Sequence, residues 1–358
     1  MRGLRPAAAV ALFALSGCSQ ILGLTDPVPP SDAAAPLEAS VPPSDAAADS
    51  PVALVDAASP DAPAPDAPAS SNDAGDATTD AGRPCDPDGP FGSTVLLSGA
   101  GLNLPGVDEG TPRLSPNELT LYFWSNRTPD GGTGEDHLYV ATRTSKLVAF
   151  DTPVEITELT SPKSEASPTV TADGLTIFFE SDRLGGANAQ LFVATRSQGD
   201  PMFGTANLLA NVNDPQANEA TPYVHPLGQS LYFSSSRGDA GQDIYRSLFQ
   251  SGGSFAPAAA VDEVNTATDE YSPCISADDL TLVWGSSRSA ADSVGGYDIF
   301  LAKRSAPGGK FEPAQNAGPG VNSTALDLPG WISPDGCTLY FESDRAGERD
   351  LYVATRPP

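Results

Sequence analysis

Five variants of one stretch follow each other at a nearly constant period, and this restricts the chain to architectures built from repeated units. The clearest copy runs Glu165-Ala-Ser-Pro-Thr-Val-Thr-Ala-Asp-Gly-Leu-Thr-Ile-Phe-Phe-Glu-Ser-Asp-Arg183 and is closed by Leu191-Phe-Val-Ala-Thr-Arg196. Near copies begin at Glu109 and Asp327, and more distant ones at Glu219 and Glu270. The arginines ending the Ser-x-Arg triplets, Arg127, Arg183, Arg237, Arg288 and Arg345, lie 56, 54, 51 and 57 residues apart.

Each unit contains the marks of four short strands and no helical periodicity. A first strand around Pro112-Arg-Leu-Ser115 meets a turn at Pro116-Asn-Glu118, with Ala172-Asp-Gly174 and Pro334-Asp-Gly336 as counterparts. Asp, Asn and Gly supply the geometry of tight turns. An apolar second strand follows, at residues 119–124 or 175–179, and then a third such as Leu138-Tyr-Val-Ala141. A lone Phe with aliphatics after it marks a fourth: Phe150, Phe203, Phe255, Phe311, and Phe91 ahead of the first unit. Four strands per unit at this period predict an all-β, five-bladed propeller of four-stranded antiparallel blades. The last unit stops after its third strand, so the segment near Phe91 is expected to complete that blade and remove a free edge.

The chain has 358 residues with a net charge of −27. From Cys85 onward 16 Lys and Arg stand against 35 Asp and Glu, a net of −19, so the repeats are themselves acidic. That balance argues against nucleic-acid binding, which relies on cations to neutralise phosphates. At the start, Arg2 and Arg5 precede an apolar run at residues 7–15, the pattern of a secretory signal over residues 1–17. The run is shorter than the roughly 20 residues a membrane-spanning helix needs. Residues 25–84 are mostly Ala, Pro, Asp and Ser, with no aromatic residue and a single base, Arg83. Such a stretch buries too little apolar surface to fold and reads as a semi-extended linker over residues 18–84. The propeller then occupies residues 85–358.

Two resemblances extend this reading. Leu15-Ser-Gly-Cys18 resembles the bacterial lipobox, which implies that Cys18 carries lipid and anchors an exported protein in the cell envelope. Ser19 after it leans toward the outer membrane, with the domain in the periplasm or at the cell surface. The repeats resemble the WD40-like PD40 units of TolB-type propellers, most clearly at Ser333-Pro-Asp-Gly336, Tyr340-Phe-Glu-Ser-Asp-Arg345 and Asp350-Leu-Tyr352. The resemblance covers the chain from about Phe91 onward and implies a rigid interaction platform. It departs from TolB in blade number, since too little chain precedes the first unit for a sixth blade.

Residues kept in every unit are expected to hold the blades together. Glu109, Glu165, Glu219, Glu270 and Asp327 open the first strands, and Arg127, Arg183, Arg237, Arg288 and Arg345 end the second. Each arginine is expected between that acid and a second one opening the third strand, Asp243, Asp298 or Asp350 in the later units. The rival expectation is that the five acids form a ring at a channel mouth and bind a cation or a basic segment. Departures from the repeat are the other binding candidates: Arg113, Tyr223 and Trp331 after the first-strand proline or its counterpart, where Thr169 and Cys274 also fall, then Trp124 and His137. Trp284 reads as core. The acidic loop Asp130-Gly-Gly-Thr-Gly-Glu-Asp136 could hold Ca²⁺ but lacks EF-hand spacing and reads as solvated. No other cofactor or metal is implied.

An exported chain permits a disulfide, and Cys85 with Cys337 is the expected pair: Cys337 begins the second strand of the last blade, Cys85 precedes the closing strand that starts at the same rim, and Cys274 begins a first strand, at the opposite rim. His137 and His225 are the only histidines and sit in no catalytic motif. The sequence thus reads as a monomeric, non-catalytic envelope lipoprotein that binds a protein or a glycan and touches the membrane only through its lipid. A carbohydrate-active enzyme with channel carboxylates and a purely structural envelope protein are the alternatives.

Overall fold

In a computed structural model the described residues are 85–128, 132–238, 241–251 and 254–358. The expected signal, the Cys18 lipid site and the whole linker, up to residue 84, lie outside them, as do residues 130–131 of the acidic loop.

The described residues form a ring of five antiparallel sheets. The strands are β1 (Val95–Leu96); β2 (Glu109–Leu114), β3 (Thr120–Arg127), β4 (Thr133–Thr142) and β5 (Val154–Glu155); β6 (Glu165–Val170), β7 (Thr176–Ser181), β8 (Gln190–Thr195) and β9 (Asn207–Leu208); β10 (Glu219–Val224), β11 (Ser230–Ser235), β12 (Asp243–Gln250), β13 (Ser254–Phe255) and β14 (Ala259–Ala260); β15 (Glu270–Ile275), β16 (Thr281–Ser286), β17 (Asp298–Lys303) and β18 (Gln315–Asn316); and β19 (Asp327–Ile332), β20 (Thr338–Ser343) and β21 (Asp350–Thr355). Each consecutive set makes one blade, and the third carries β13 as an extra pairing on β12. The fifth is completed by β1, which pairs antiparallel with β21 through Val95–Val353 and Leu96–Tyr352. The ring therefore closes between the two ends of the repeat region. A disulfide joins Cys85 to Cys337 beside this seam, with Cα atoms 5.9 Å apart.

Both faces of a blade are covered by its neighbours, so the middle strands read as nearly continuous apolar runs. Phe123, Phe179, Phe233, Trp284 and Phe341 occupy one position in the five blades, and all are fully buried. Trp284 stacks on Phe300 and belongs to the core, as expected.

The repeated arginines have a different second partner from the expected one. Arg183 donates from Nε to Ser181 Oγ (3.1 Å) and from Nη2 to the Leu159 carbonyl (2.7 Å), and it lies 3.1 Å from Glu165. Its guanidinium also lies 5.0 and 4.9 Å from the Phe179 and Phe192 ring centres. The other four blades repeat this arrangement. No third-strand acid joins it among the described residues. Asp298, for example, accepts from the Val294 and Gly295 amides instead. Two flat rings occupy the space where a second carboxylate was expected, and cation–π attraction replaces the second ion pair.

A second set of arginines was not anticipated. Arg143, Arg196, Arg304 and Arg356 directly follow the third strands and cover Phe150, Phe203, Phe311 and Phe91 at 4.2–4.5 Å. Three of them also donate to a tyrosine hydroxyl of the preceding blade: Arg143 to Tyr340, Arg196 to Tyr122 and Arg304 to Tyr232. These contacts tie blade to blade and fix the lone Phe of four of the five fourth elements; Phe255 of the third blade packs edge-on against Phe178 and Phe249 instead.

Candidate functional site

The first strands line the axis, and each of the first four contains the same irregularity. Their registers shift just before or after the proline, and Thr111, Ser167, Thr221 and Ser272 adopt φ between +46° and +53°. Positive φ is unfavourable for a residue with a Cβ, most of all for β-branched threonine. The bulge aims the hydroxyls of these four residues, and the amides of Thr111, Thr221 and Ser272, at neighbouring blades. Thr111 Oγ1 lies 3.4 Å from Ser167 Oγ, Ser272 N donates to Thr221 Oγ1 (3.1 Å), and Ser272 Oγ donates to the Pro329 carbonyl (2.8 Å). In the fifth blade Gly330 takes the place of the proline. A Cβ there would strike the Pro112 backbone.

Two carboxylates enter this hydroxyl layer. Glu342 accepts the Thr111 amide (2.5 Å), and Glu180 accepts the Thr221 amide (2.5 Å) and the Ser167 hydroxyl (3.3 Å). Burial pushes Glu180 up to about 7 against those hydrogen bonds and raises Glu342 as well. At the mouth nearest them, Asp136, Glu180, Ala189 and Asn218 line a recess of about 260 Å³, and burial raises Asp136 to about 6. Neither Glu180 nor Glu342 was a sequence candidate. The available signal was the second-strand position they share with Trp124, Ser234 and Gly285, which varies where its neighbours repeat.

At the opposite end the residues following the bulges form a funnel of about 230 Å³. Pro116, Ala172, Pro226, Ala277 and Pro334 from the five turns ring its mouth, and Arg113, Thr169, Tyr223 and Trp331 line its interior. Arg113 spans the axis: it donates to the carbonyls of Gly330 in the fifth blade and, at 3.4 Å, of Pro222 in the third and Pro273 in the fourth. Its guanidinium lies 4.7 Å over the Tyr223 ring. Burial lowers its pKa. Cys274 completes the layer, fully buried, with its thiol pushed up to about 12 by burial. It is the fifth residue of six in β15 and so lies near that strand's end, not its start.

The remaining candidates divide differently. Glu109, Glu165, Glu219, Glu270 and Asp327 are fully buried against their arginines, so they form no open ring for a cation or basic segment. His137 holds Glu165 of the next blade at 3.2 Å. Trp124 donates to Thr111 Oγ1 and lies under Arg349, with little exposure. Among the described residues no cluster of three metal-ligating side chains is present.

The buried acids set a pH dependence. Glu109 lies 2.8 Å from Arg127, yet desolvation outweighs that guanidinium and raises its carboxyl to about 7. Glu219 and Glu342 are raised too. A carboxyl whose folded pKa exceeds its unfolded value binds protons more tightly in the native state. For Glu109 that stabilisation is complete below about pH 4.5 and is lost as pH rises through about 7. Thermal melts followed by circular dichroism should give a midpoint several degrees higher at pH 5 than at pH 8. A flat or inverted profile would contradict this assignment.

No protein-family model matches the sequence, and no curated protein is similar to it. The fold is shared with solved structures. A structure described as an RGII complex of BT0996 superposes with a TM-score of 0.52 at 10% identity, covering 75% of this chain and 92% of that one. A glycoside hydrolase gives 0.51 at 10% identity with the same coverage. TolB from Acinetobacter baumannii gives 0.44 at 14% identity, covering 70% of this chain and 55% of that one. The chain therefore spans about half of that TolB's length. Likeness at such identities shows the fold alone. It does correct one expectation: this architecture carries glycoside hydrolases, so the reading of the chain as a non-enzyme falls.

Proposed function

We propose that the chain is an envelope interaction platform, displayed on a lipid-anchored tether, that receives a protein segment in the axial funnel. The observation carrying this reading is that the layer Arg113, Thr169, Tyr223, Cys274 and Trp331 differs in every blade while its surroundings repeat, and that all of it but Cys274 lines a cavity. A repeated residue is explained by holding a blade. Four unlike side chains around one cavity suit the recognition of one asymmetric ligand. The chain from residue 82 onward, used as bait against envelope extract of the source cell, is expected to retain a stoichiometric protein that is lost on Thr169→Trp, which fills the funnel. Retention of polysaccharide alone would overturn the reading.

A second reading rests on Glu180 and Asp136, protonatable near neutral pH around one recess. A carboxyl held near 7 suits general acid catalysis at a glycosidic bond. Shortening of a polysaccharide that disappears in Glu180→Gln and persists in Thr169→Trp would support it. Failure to cleave any envelope glycan would remove it.

A further inference from the structure

We infer that the funnel is a carboxylate site, with Arg113 as its charged contact. This deepens the funnel reading above and rests on it. Arg113 is only 2% exposed, yet it makes no ion pair among the described residues. A guanidinium taken out of water is normally paired with a carboxylate, as the repeated arginines of this chain are. Arg113 instead has backbone carbonyls, two of them at 3.4 Å, and its buried Nε has no hydrogen bond.

The same cavity holds further unused donors. Neither the Tyr223 hydroxyl nor the Trp331 indole N–H makes a hydrogen bond among the described residues, and both side chains line the funnel. An acceptor-only group suits three such donors. A planar carboxylate matches the guanidinium fork in shape and charge. The mouth prolines and alanines around it offer apolar surface, so the carboxylate is expected on a small apolar or aromatic group. A volume near 230 Å³ admits about that much and no folded domain. The strongly negative charge of the protein repels free anions at a distance, which added salt screens.

Such a group can come from a small organic acid or from the free C-terminus of a peptide, and the test separates them. The probes are benzoate, the tripeptide Gly-Gly-Phe with a free C-terminus and the same tripeptide as its C-terminal amide, each titrated into the intact protein and followed by calorimetry and melting temperature. Binding of the free-acid tripeptide, tighter in raised salt and weakened roughly ten- to a hundredfold as the amide, is the expected result. Benzoate binding without tripeptide binding would assign the site to small acids, and the carboxylate chemistry would still stand. Trp331→Phe, which keeps an aromatic ring and removes the indole N–H, is expected to weaken binding several-fold without unfolding the blade, and Arg113→Gln to abolish it. Amide binding equal to the acid would overturn the carboxylate assignment while leaving the funnel a binding site. Absence of binding by every probe up to about 10 mM, with Thr169→Trp still losing the envelope partner, would overturn it as well. The funnel reading itself also falls if Thr169→Trp changes nothing.

Discussion

Replacing Arg237 by alanine is expected to cost about 3–5 kcal/mol of folding stability, the loss that follows when one partner of a buried ion pair is removed. Glu219 is fully buried and lies 2.6 Å from Arg237, so its carboxylate is left without a counter-ion. Deletion also removes the bonds to Ser235 Oγ (2.9 Å) and the Val212 carbonyl (2.7 Å), and uncovers the Phe233 and Tyr245 rings. Lysine should rescue little, because an ammonium cannot lie flat between two rings while bonding three acceptors. Urea denaturation of wild type, Arg237→Ala and the pair Arg237→Met with Glu219→Leu would separate the causes. If the orphaned carboxylate is the main penalty, the double variant recovers much of the loss. A loss below about 1 kcal/mol in the single variant would mean that the stack is decoration on a blade held by its backbone.

Removing the Cys85–Cys337 bridge is the other large effect, about 2–5 kcal/mol and a fall in melting temperature of roughly 5–15 °C. The two residues are 252 apart in sequence, so the bridge restrains most of the described residues when unfolded. The native seam also depends on it. The two-residue β1 strand pairs with β21, and near it Asp86 donates its amide to the Pro357 carbonyl at 3.1 Å and Gly92 to that of Thr355 at 2.8 Å. Cys85→Ser with Cys337→Ser, melted beside the oxidised and reduced wild type, should match the reduced form. Early hydrogen exchange confined to residues near β1 and β21 would show that the seam opens first. Equal melting of the oxidised and reduced forms would contradict the role given to the bridge.

The features legible from residues alone were those that recur. Blade number, strand order and the closing role of the Phe91 segment follow from a motif written five times and truncated once. The cysteine pairing followed from the same frame, because strand order places the ends of strands on rims. Even there, Cys274 was set at the wrong end of its strand, although Glu270, read as opening that same strand, lies four residues earlier. The Glu and Arg staple was visible as a pattern, but its second partner was misassigned. A linear motif does not show that two aromatic rings from adjacent strands occupy the space flanking the guanidinium.

Most of the candidate site became visible only in three dimensions. Arg113, Tyr223 and Trp331 stood out as departures from the repeat, yet nothing local told that Arg113 crosses the axis to three other blades. Glu180 and Glu342 were hidden because each looks like one more acid in an acidic protein. Their raised pKa values come from desolvation among neighbouring blades. Periodicity and strand alternation are short-range properties, so the amino-acid order by itself determined the blade, its count and its closure. Which side chains meet at the axis, and which of them are left without a partner, depends on five blades converging from distant parts of the sequence, and that only the tertiary structure decided.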